Sequence, residues 1–366
     1  MRLVAQKDEL AAALAAAGRA ASAKSTIQIL SHILLRAEDG RCELAATDME
    51  VSLRVPLAAT VEQAGAVVLP RLAADVVRTM ADGPVTLEHR ANEGVVGLSG
   101  GGSSFSLNCL QAGDFPELPA DEGEGLQVPA GLLIDTIERV AKAASRDETR
   151  PVLTGVLTRL APDGLTMVAT DSYRLAVRQA PLERPPADSR EAIVPARALF
   201  EVARLATAQR AEGVEVVLGE AQALFRIGAV RLTSRVIEGQ FPDHRQLVPD
   251  AFEHEVAFDR GELLAVLSRI GVLAQRNTPV RLAFAEGGVT VSAVSDQVGE
   301  GRESLPVAFA GEPLEMGFNV EFLRAGAESV EGDEVRLGLI SPLRPGLLRG
   351  EGDDYRYLLM PIRLNT

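Results

Sequence analysis

The sequence contains no tryptophan, only three tyrosines and two cysteines, and aromatic residues make up 4% of its 366 residues. Hydrophobic residues nevertheless reach 46%, so leucine, valine, isoleucine and alanine must fill the cores. Cys42 and Cys109 form no CxxC motif and lie in strand-like sequence, which predicts two reduced thiols rather than a disulfide. A chain of this length exceeds one core and predicts two or three domains.

Long apolar runs are also missing. No segment approaches the roughly 18 uncharged apolar residues of a membrane span, and the opening residues MRLVAQKDEL lack the apolar stretch of a signal peptide. We therefore expect a cytoplasmic protein with no membrane partner. Histidines are scarce as well, and they have no ligand spacing with one another or with cysteine, so neither a metal site nor a cofactor is expected. They are His32, His89, His244 and His254.

Two segments resemble enzyme motifs, but the sequence around each predicts the wrong secondary structure for that motif. Residues 18–25, GRAASAKS, resemble a phosphate-binding loop, but Ala23 replaces the second glycine and the segment follows a helix rather than a strand. Residues 97–101, GLSGG, match G-x-S-x-G formally, but strand-like sequence follows where a nucleophile elbow needs a helix. The sequence therefore predicts a protein that is not an enzyme.

The same order of elements occurs three times along the chain. Each unit opens with an amphipathic helix, predicted at 3–20, 126–145 and 256–274. A strand follows that ends in a Thr-Asp or Ser-Asp pair, at Asp48, Asp171 and Asp296. A second helix and further alternating strands complete each unit, and the repeated aspartates are interpreted as structural turn caps. The repeat predicts an α+β protein of three tandem domains, 1–123, 124–250 and 251–366.

The net charge of −14 argues against a nucleic-acid binder unless the charges are unevenly distributed. The predicted helices are nearly neutral, so the negative charge lies outside them. These helices are predicted at 7–24, 70–82, 130–150, 196–212, 259–276 and 320–331. In two of these helices, cations repeat with helical spacing and form a stripe along one side. They are Arg139, Lys142, Arg146 and Arg150 in the first, and Arg197 and Arg204 in the second. Such stripes suit helices that face DNA phosphates without reading bases, or else are ordinary solvated helix faces.

Geometry limits what three such domains can do. A domain of about 120 residues has a radius of about 18 Å, from its expected radius of gyration. Three touching spheres of that size leave a hole of only about 5 Å, whereas six leave about 35 Å, enough for a duplex roughly 20 Å across. One chain is therefore too small to encircle DNA, and two chains suffice.

Four segments resemble the bacterial DNA polymerase III beta subunit family, the beta sliding clamps: LTMVATDSYRLAV (165–177), GQFPDHRQLVP (239–249), GFNVEF (317–322) and YLLMPIRL (357–364). The resemblance covers the whole chain. It implies three tandem DNA-clamp domains, with two helices of each domain inside and β-sheets outside, in a ring-shaped head-to-tail homodimer. It also implies a non-catalytic processivity factor. Its partners would be double-stranded DNA, the DNA polymerase III catalytic subunit, the clamp loader and other replication and repair proteins.

The resemblance assigns a hydrophobic pocket for partner peptides between the second and third domains. One side of the pocket is formed by Leu153, Thr170, Ser172, Tyr173, Arg174, Leu175, Pro242 and Leu247. The other side is formed by Asn319, Phe322, Leu343, Met360, Pro361, Ile362, Arg363 and Leu364. These residue types give an apolar groove for hydrophobic anchors, in which Arg174 and Thr170 are expected to fix a polar or backbone group.

The resemblance also assigns DNA contacts and a dimer seam. Positions that match DNA contacts are Lys24, Arg150 and Arg197, with Arg71 one place from an expected basic residue. The seam pairs Phe105 and Leu107 of one subunit with Val272 and Leu273 of the other. Gly-rich sequence at 97–106 replaces the seam arginines frequent in the family, while Glu300 and Glu303 remain, so we expect a seam that depends more on apolar packing.

One alternative from a different functional class remains open. A scaffold or adaptor could bind peptides through the same groove without encircling DNA. A stable closed dimer that is retained on circular DNA would distinguish the clamp from such a scaffold.

Overall fold

The computed structural model of the chain describes residues 1–22, 25–38, 40–249, 251–274, 278–295, 297–352 and 354–364. Its helices are α1 Lys7–Ala17, α2 Leu72–Thr79, α3 Ala130–Val140, α4 Pro151–Thr154, α5 Ala196–Ala208, α6 Arg260–Gly271 and α7 Val320–Ser329. Its strands are β1 Arg2–Gln6, β2 His32–Glu38, β3 Arg41–Thr47, β4 Val51–Pro56, β5 Thr60–Gln63, β6 Gly65–Pro70, β7 Pro84–Arg90, β8 Val95–Gly100, β9 Ser103–Asn108, β10 Leu126–Pro129, β11 Gly155–Ala161, β12 Gly164–Thr170, β13 Arg174–Ala180, β14 Arg190–Pro195, β15 Gly213–Leu218, β16 Gln222–Ile227, β17 Val230–Arg235, β18 His254–Asp259, β19 Val280–Ala285, β20 Gly288–Ser295, β21 Gly299–Pro306, β22 Leu314–Phe318, β23 Glu334–Leu339, β24 Gly346–Arg349 and β25 Tyr355–Leu359. The α+β class is confirmed.

The chain forms two compact units, which are described separately. Unit 1 comprises Met1–Gly131 and Glu201–Val236. It contains a five-stranded sheet, β5-β1-β7-β8-β9, and an eight-stranded sheet, β10-β15-β16-β17-β4-β3-β2-β6. Unit 2 comprises Leu132–Phe200 and Ile237–Thr366. It contains an eight-stranded sheet, β14-β11-β12-β13-β25-β24-β23-β18, and a four-stranded sheet, β21-β20-β19-β22.

Each eight-stranded sheet joins strands from two sequence repeats. In unit 1, β17 of the second repeat pairs antiparallel with β4 of the first, and Leu232 lies opposite Leu53. In unit 2, β13 of the second repeat pairs antiparallel with β25 of the third, and Leu175 lies opposite Leu358. The boundaries of the compact units therefore coincide with those of the sheets, and each unit contains strands from two sequence repeats.

The helices that open the first and third repeats bury the same apolar spacing. The buried residues of α1 are Leu10, Ala13, Leu14 and Ala17, and those of α6 are Leu263, Val266, Leu267 and Ile270. Both sets follow i, i+3, i+4, i+7, which places one stripe of the helix against the core. Asp259 caps α6, since its carboxylate accepts a hydrogen bond from the Glu262 N–H at 2.8 Å. None of the helices in the described part of the chain has the length and apolar character that crossing a bilayer requires.

All six predicted helices exist, and all end earlier than predicted. The largest difference concerns α3, which was expected to continue to residue 150 but ends at Val140. In a longer helix, the Lys142 carbonyl would accept a hydrogen bond from the backbone N–H four residues later. In the structure, this carbonyl accepts from the Arg174 guanidinium at 2.6 Å instead. The Ser145 N–H likewise donates to the Leu153 carbonyl at 2.8 Å. Tertiary hydrogen bonds therefore end the helix, and the prediction of one helix over 130–150 is wrong.

The repeated aspartates cap turns at the ends of β3 and β12. The Asp48 carboxylate accepts from the backbone N–H of Val51 at 2.8 Å, and the Asp171 carboxylate accepts from that of Arg174 at 3.0 Å. The turns share a left-handed residue, with φ of 77° at Met49 and 78° at Ser172. The structural role predicted for these two aspartates is confirmed, while Asp296 lies outside the described residues.

Both thiols are free, and the structure predicts different reactivity for each. Cys42 is buried in β3, and burial raises its pKa to about 11, whereas Cys109 is half-buried and its pKa is raised less. Because the thiolate is the reacting form, Cys42 holds roughly a hundredfold less of it than an ordinary thiol at pH 8. We expect a disulfide reagent to label Cys109 in the native protein and Cys42 only after denaturation, measured by absorbance. Rapid native labelling of a Cys109→Ser variant would contradict this assignment.

Candidate functional site

Two of the predicted binding segments meet where β13 pairs with β25. Leu359, the last residue of β25, lies opposite Arg174, so the tail 360–364 leaves the sheet beside the turn 170–174. The Met360 N–H donates to the Tyr173 carbonyl at 2.9 Å, and the Ile362 N–H donates to the Gly317 carbonyl at 2.8 Å. We call the surface formed by this turn, this tail and the predicted pocket residues beside them the candidate pocket.

Large apolar side chains of the candidate pocket remain exposed to solvent. The exposed fractions are 62% for Tyr173, 49% for Leu247, 63% for Leu343, 43% for Met360 and 38% for Ile362. Exposed apolar side chains of this size, clustered at one place, mark interaction sites rather than ordinary surface. They suit an extended peptide with apolar anchors.

A buried apolar cluster lies within the same sheet as the candidate pocket. Leu175 is only 3% exposed and packs in this cluster with Val168, Leu347 and Leu358. From the loop 239–249, Phe241 and Val248 pack against the cluster, while Leu247 stays exposed. Phe241 and Val248 were not among the predicted pocket residues, although their apolar character inside the GQFPDHRQLVP motif could have indicated them.

Several predicted pocket residues have structural roles. Leu153 and Thr170 are buried, and Asn319 caps α7 by accepting from the Phe322 N–H at 3.1 Å. Leu364 packs so closely on Gly317 that a Cβ there would lie 2.7 Å from its Cδ2. The tail can approach β22 only because residue 317 is glycine. Ser172, Pro242 and Arg363 are exposed, and Pro361 is partly exposed.

Arg174 is held by four partners. Its guanidinium donates to the Asp171 carboxylate at 3.0 Å, to the Lys142 carbonyl and to the Tyr357 hydroxyl, and it lies 4.1 Å from the centre of the Phe322 ring. Burial lowers the pKa of Arg174, but Tyr357 and Asp171 outweigh it and leave the pKa above its ordinary value. Burial also raises the pKa of Tyr357 to about 12, so its hydroxyl is protonated and donates to the Phe322 carbonyl at 2.9 Å. Arg174 therefore acts first as a scaffold for the candidate pocket.

Substituting alanine for Arg174 is expected to destabilise the protein. The side chains of Arg174 and Asp171 are each 12% exposed, so the variant leaves a largely buried carboxylate without its cation. Breaking such a pair costs about 3 kcal/mol of the free energy of unfolding, measured by urea denaturation. Arg146→Ala, at an exposed position, is the control and should change the free energy by less than about 0.5 kcal/mol. Equal stability of the two variants would show that Arg174 is not structural.

Arg139 was predicted to face DNA, but the structure buries its side chain. It is 9% exposed, and its guanidinium pairs with Asp135 at 2.9 Å and with Glu331 at 3.0 Å. Its guanidinium carbon also lies 6.0 Å from the centre of the Tyr355 ring. A cation that is buried and paired in this way is unavailable to DNA phosphates, so the assignment of Arg139 as a DNA-facing residue is corrected.

The other predicted DNA-facing cations differ in availability. Arg71, Arg146, Arg150 and Arg197 are exposed. Arg150 donates to the Ser172 hydroxyl at 3.1 Å, next to the candidate pocket, and it also pairs with the exposed Asp147 at 3.2 Å.

Two of the predicted cations are less available to a DNA phosphate. Lys142 is half-buried, and burial is the main reason that its pKa is lowered. Arg204 pairs with Glu201, which also accepts from Arg19 at 2.7 Å. Lys24 lies outside the described residues.

The predicted seam residues lie near the ends of two sheets. Phe105 and Leu107 belong to β9, the end strand of its sheet, and Phe105 is 37% exposed. Val272 is 74% exposed just after α6, whereas Leu273 is half-buried and packs on β21, since a Cβ on Gly301 would lie 2.7 Å from its Cδ1.

The acidic residues expected at the seam also differ in availability. Glu303 pairs with Arg269 at 3.0 Å within the same subunit, while Glu300 is exposed. This internal partner leaves Glu303 less available for an ion pair across the seam.

Comparison with known proteins identifies the family. Family models described as the N-terminal, central and C-terminal domains of the DNA polymerase III beta subunit match residues 1–119, 127–243 and 245–363. The beta sliding clamps of Synechococcus elongatus and Streptomyces coelicolor are 37% and 33% identical to this chain, covering 100% of it and 100% of each relative. The crystal structure of the DNA polymerase sliding clamp from Bacillus subtilis matches with a TM-score of 0.92 at 29% identity, covering 100% of both chains. The chain therefore belongs to the DNA polymerase III beta subunit family, the non-catalytic beta sliding clamps.

Proposed function

We propose that two copies of this sliding clamp join head to tail around duplex DNA and tether the replicative polymerase through the candidate pocket. The proposed domains are 1–123, 124–250 and 251–366, and the ranges of the three family models support this division. Two copies then supply the six domains that a hole wide enough for a duplex requires. A closed ring keeps its partners at high local concentration near the DNA, and an ATP-driven loader is needed to open it.

The tethering part of the proposal is carried by one observation, the exposed apolar cluster of the candidate pocket. Tyr173, Leu343 and Met360 are exposed, and they lie in three segments that adjoin the paired ends of β13, β24 and β25. A short peptide from the polymerase, the clamp loader or a repair protein would cover them with its own apolar anchors.

The seam is proposed between β9 of one copy and the region of α6 and β21 of the other. β9 and β21 are the end strands of their sheets, so both have backbone groups that can pair with a further strand. Phe105 and Val272 supply exposed apolar surface beside these edges. Because Glu303 is engaged by Arg269, we expect this seam to depend on apolar packing more than on ion pairs.

For the DNA-facing surface, we propose the exposed cations Arg71, Arg146, Arg150 and Arg197. Contacts between such side chains and phosphates hold a duplex without reading its sequence, which a clamp that slides requires. Two free thiols are consistent with a reducing compartment, and we propose a cytoplasmic location.

The solution mass tests the ring directly. Light scattering across a dilution series should give twice the chain mass of 38.8 kDa. Retention of that dimer on nicked circular DNA, and its release when the circle is cut, would establish encirclement. A monomer at every concentration would overturn the ring and favour a peptide-binding scaffold instead.

A further inference from the structure

A cavity of about 470 Å³ in unit 2 is not part of the candidate pocket. It is formed where the segment after α3 meets the start of α5. The charged side chains that line it are Lys142, Arg146, Arg197 and Glu148, so cations outnumber the one acid. The charge of the cavity therefore favours an anionic ligand.

Phe200 gives this cavity an aromatic wall. Its neighbours on α5, Leu199 and Val202, are fully buried, whereas Phe200 is 42% exposed and lines the cavity. Phosphate binding alone would use only the cations, and apolar packing alone would not place three cations around an exposed ring. A ligand that has both an anionic group and a flat apolar face would contact the cations and the aromatic ring of this cavity together.

We propose that the cavity binds one unpaired nucleotide, with its base against Phe200 and its phosphate between Arg146 and Arg197. Bases that stack on aromatic side chains beside a positive groove are the general mode of single-strand binding. A paired base is stacked inside the duplex and is not available to Phe200, so the site selects single-stranded over double-stranded DNA. The proposal rests on the proposed DNA-encircling function and adds to it a place for an unpaired base.

The absence of tryptophan from the chain makes a direct optical test possible. A Phe200→Trp variant carries one tryptophan, and a stacked base quenches its emission. We expect saturable quenching by single-stranded oligothymidylate and little quenching by a blunt duplex of the same length. Leu72→Trp is the matched control, because residue 72 is 58% exposed and follows Arg71, a proposed DNA-facing cation. Equal quenching at both positions would overturn the proposal.

The Phe200→Leu variant keeps an apolar side chain and removes only the aromatic face. We expect single-strand binding, followed by fluorescence anisotropy at low salt, to weaken about tenfold, while duplex binding stays unchanged. Unchanged binding of both DNAs, or an equal loss for both, would overturn the stacking role of Phe200. Quenching by thymidine monophosphate at the same nucleotide concentration would assign the cavity to a free nucleotide and overturn its assignment to a DNA strand.

The double variant Arg146→Ala and Arg197→Ala separates this proposal from the proposed function. It should weaken the binding of both DNAs, because both contain phosphates. If this variant binds duplex normally, the proposed DNA-facing surface is wrong. If it weakens duplex binding while Phe200→Leu has no effect, only the nucleotide site is wrong.

Discussion

Replacing both Leu247 and Leu343 with serine is expected to weaken binding of a partner peptide about a thousandfold, since two anchor contacts at about 2 kcal/mol each contribute about 4 kcal/mol together. The probe is a short fluorescent peptide from the polymerase III catalytic subunit of the same genome, followed by anisotropy. Both leucines are exposed, at 49% and 63%, so their replacement removes binding surface and leaves the core intact.

Val294→Ser is the matched control for this experiment. Val294 is 57% exposed in the same unit but lies on β20, which β19 separates from β22, the strand that the tail of the candidate pocket contacts. The control should bind peptide normally, and all variants should keep the mass of the unmodified protein. Normal peptide binding by the double variant would show that partners dock elsewhere on the chain.

Introducing aspartate at Phe105 and Val272 together is expected to convert the dimer into monomers at micromolar concentration. Each substitution removes apolar surface and adds a charge that the seam must desolvate. A closed ring of two subunits contains two identical seams, so every substitution acts twice, and the dissociation constant should rise at least about a thousandfold. Light scattering over a dilution series measures this shift.

Two comparisons make the seam experiment specific. Ile27→Asp, at a residue 57% exposed in unit 1, should leave the dimer intact. The double aspartate variant should still bind the polymerase peptide, because the candidate pocket lies within one subunit. A dimer that survives both substitutions would place the seam on a different surface.

Periodic features of the fold could be predicted from the sequence. The apolar spacing of Leu10, Leu14, Leu263 and Leu267 is local, and it indicated the helices that open the first and third repeats. The repeated aspartates were likewise recognised as turn caps, because Asp48 and its counterparts occupy the same place in each repeat. Local patterns sufficed wherever the stabilising contacts are themselves local.

Contacts between distant segments explain what the sequence did not reveal. Arg139 fits a basic helical stripe, but its partner Glu331 lies 192 residues away, and only the folded chain shows that this cation is buried. The early end of α3 has the same origin, because Arg174 takes the Lys142 carbonyl. Side-chain spacing along one helix does not contain this information.

The candidate pocket was predicted as an apolar groove in which Arg174 and Thr170 bind a polar group, without a distinction between exposed and buried members. Matching motifs grouped Arg174 with Leu343, although the first is a buried scaffold and the second is 63% exposed. The family resemblance assigned both types to the same pocket, so exposure in the folded state is needed to tell binding residues from supporting ones.

The fixed position of Arg174 has a consequence for the design of antibacterial compounds. A compound that occupies the candidate pocket selects for escape variants. At exposed positions such as Leu343 and Met360, substitutions have little effect on folding and are restricted only by the need to bind partners. Arg174 cannot change in this way, because its loss removes the partner of Asp171 and the support of the Phe322 ring. Compounds that draw most of their affinity from the wall around Arg174 should therefore be the hardest for resistance to defeat.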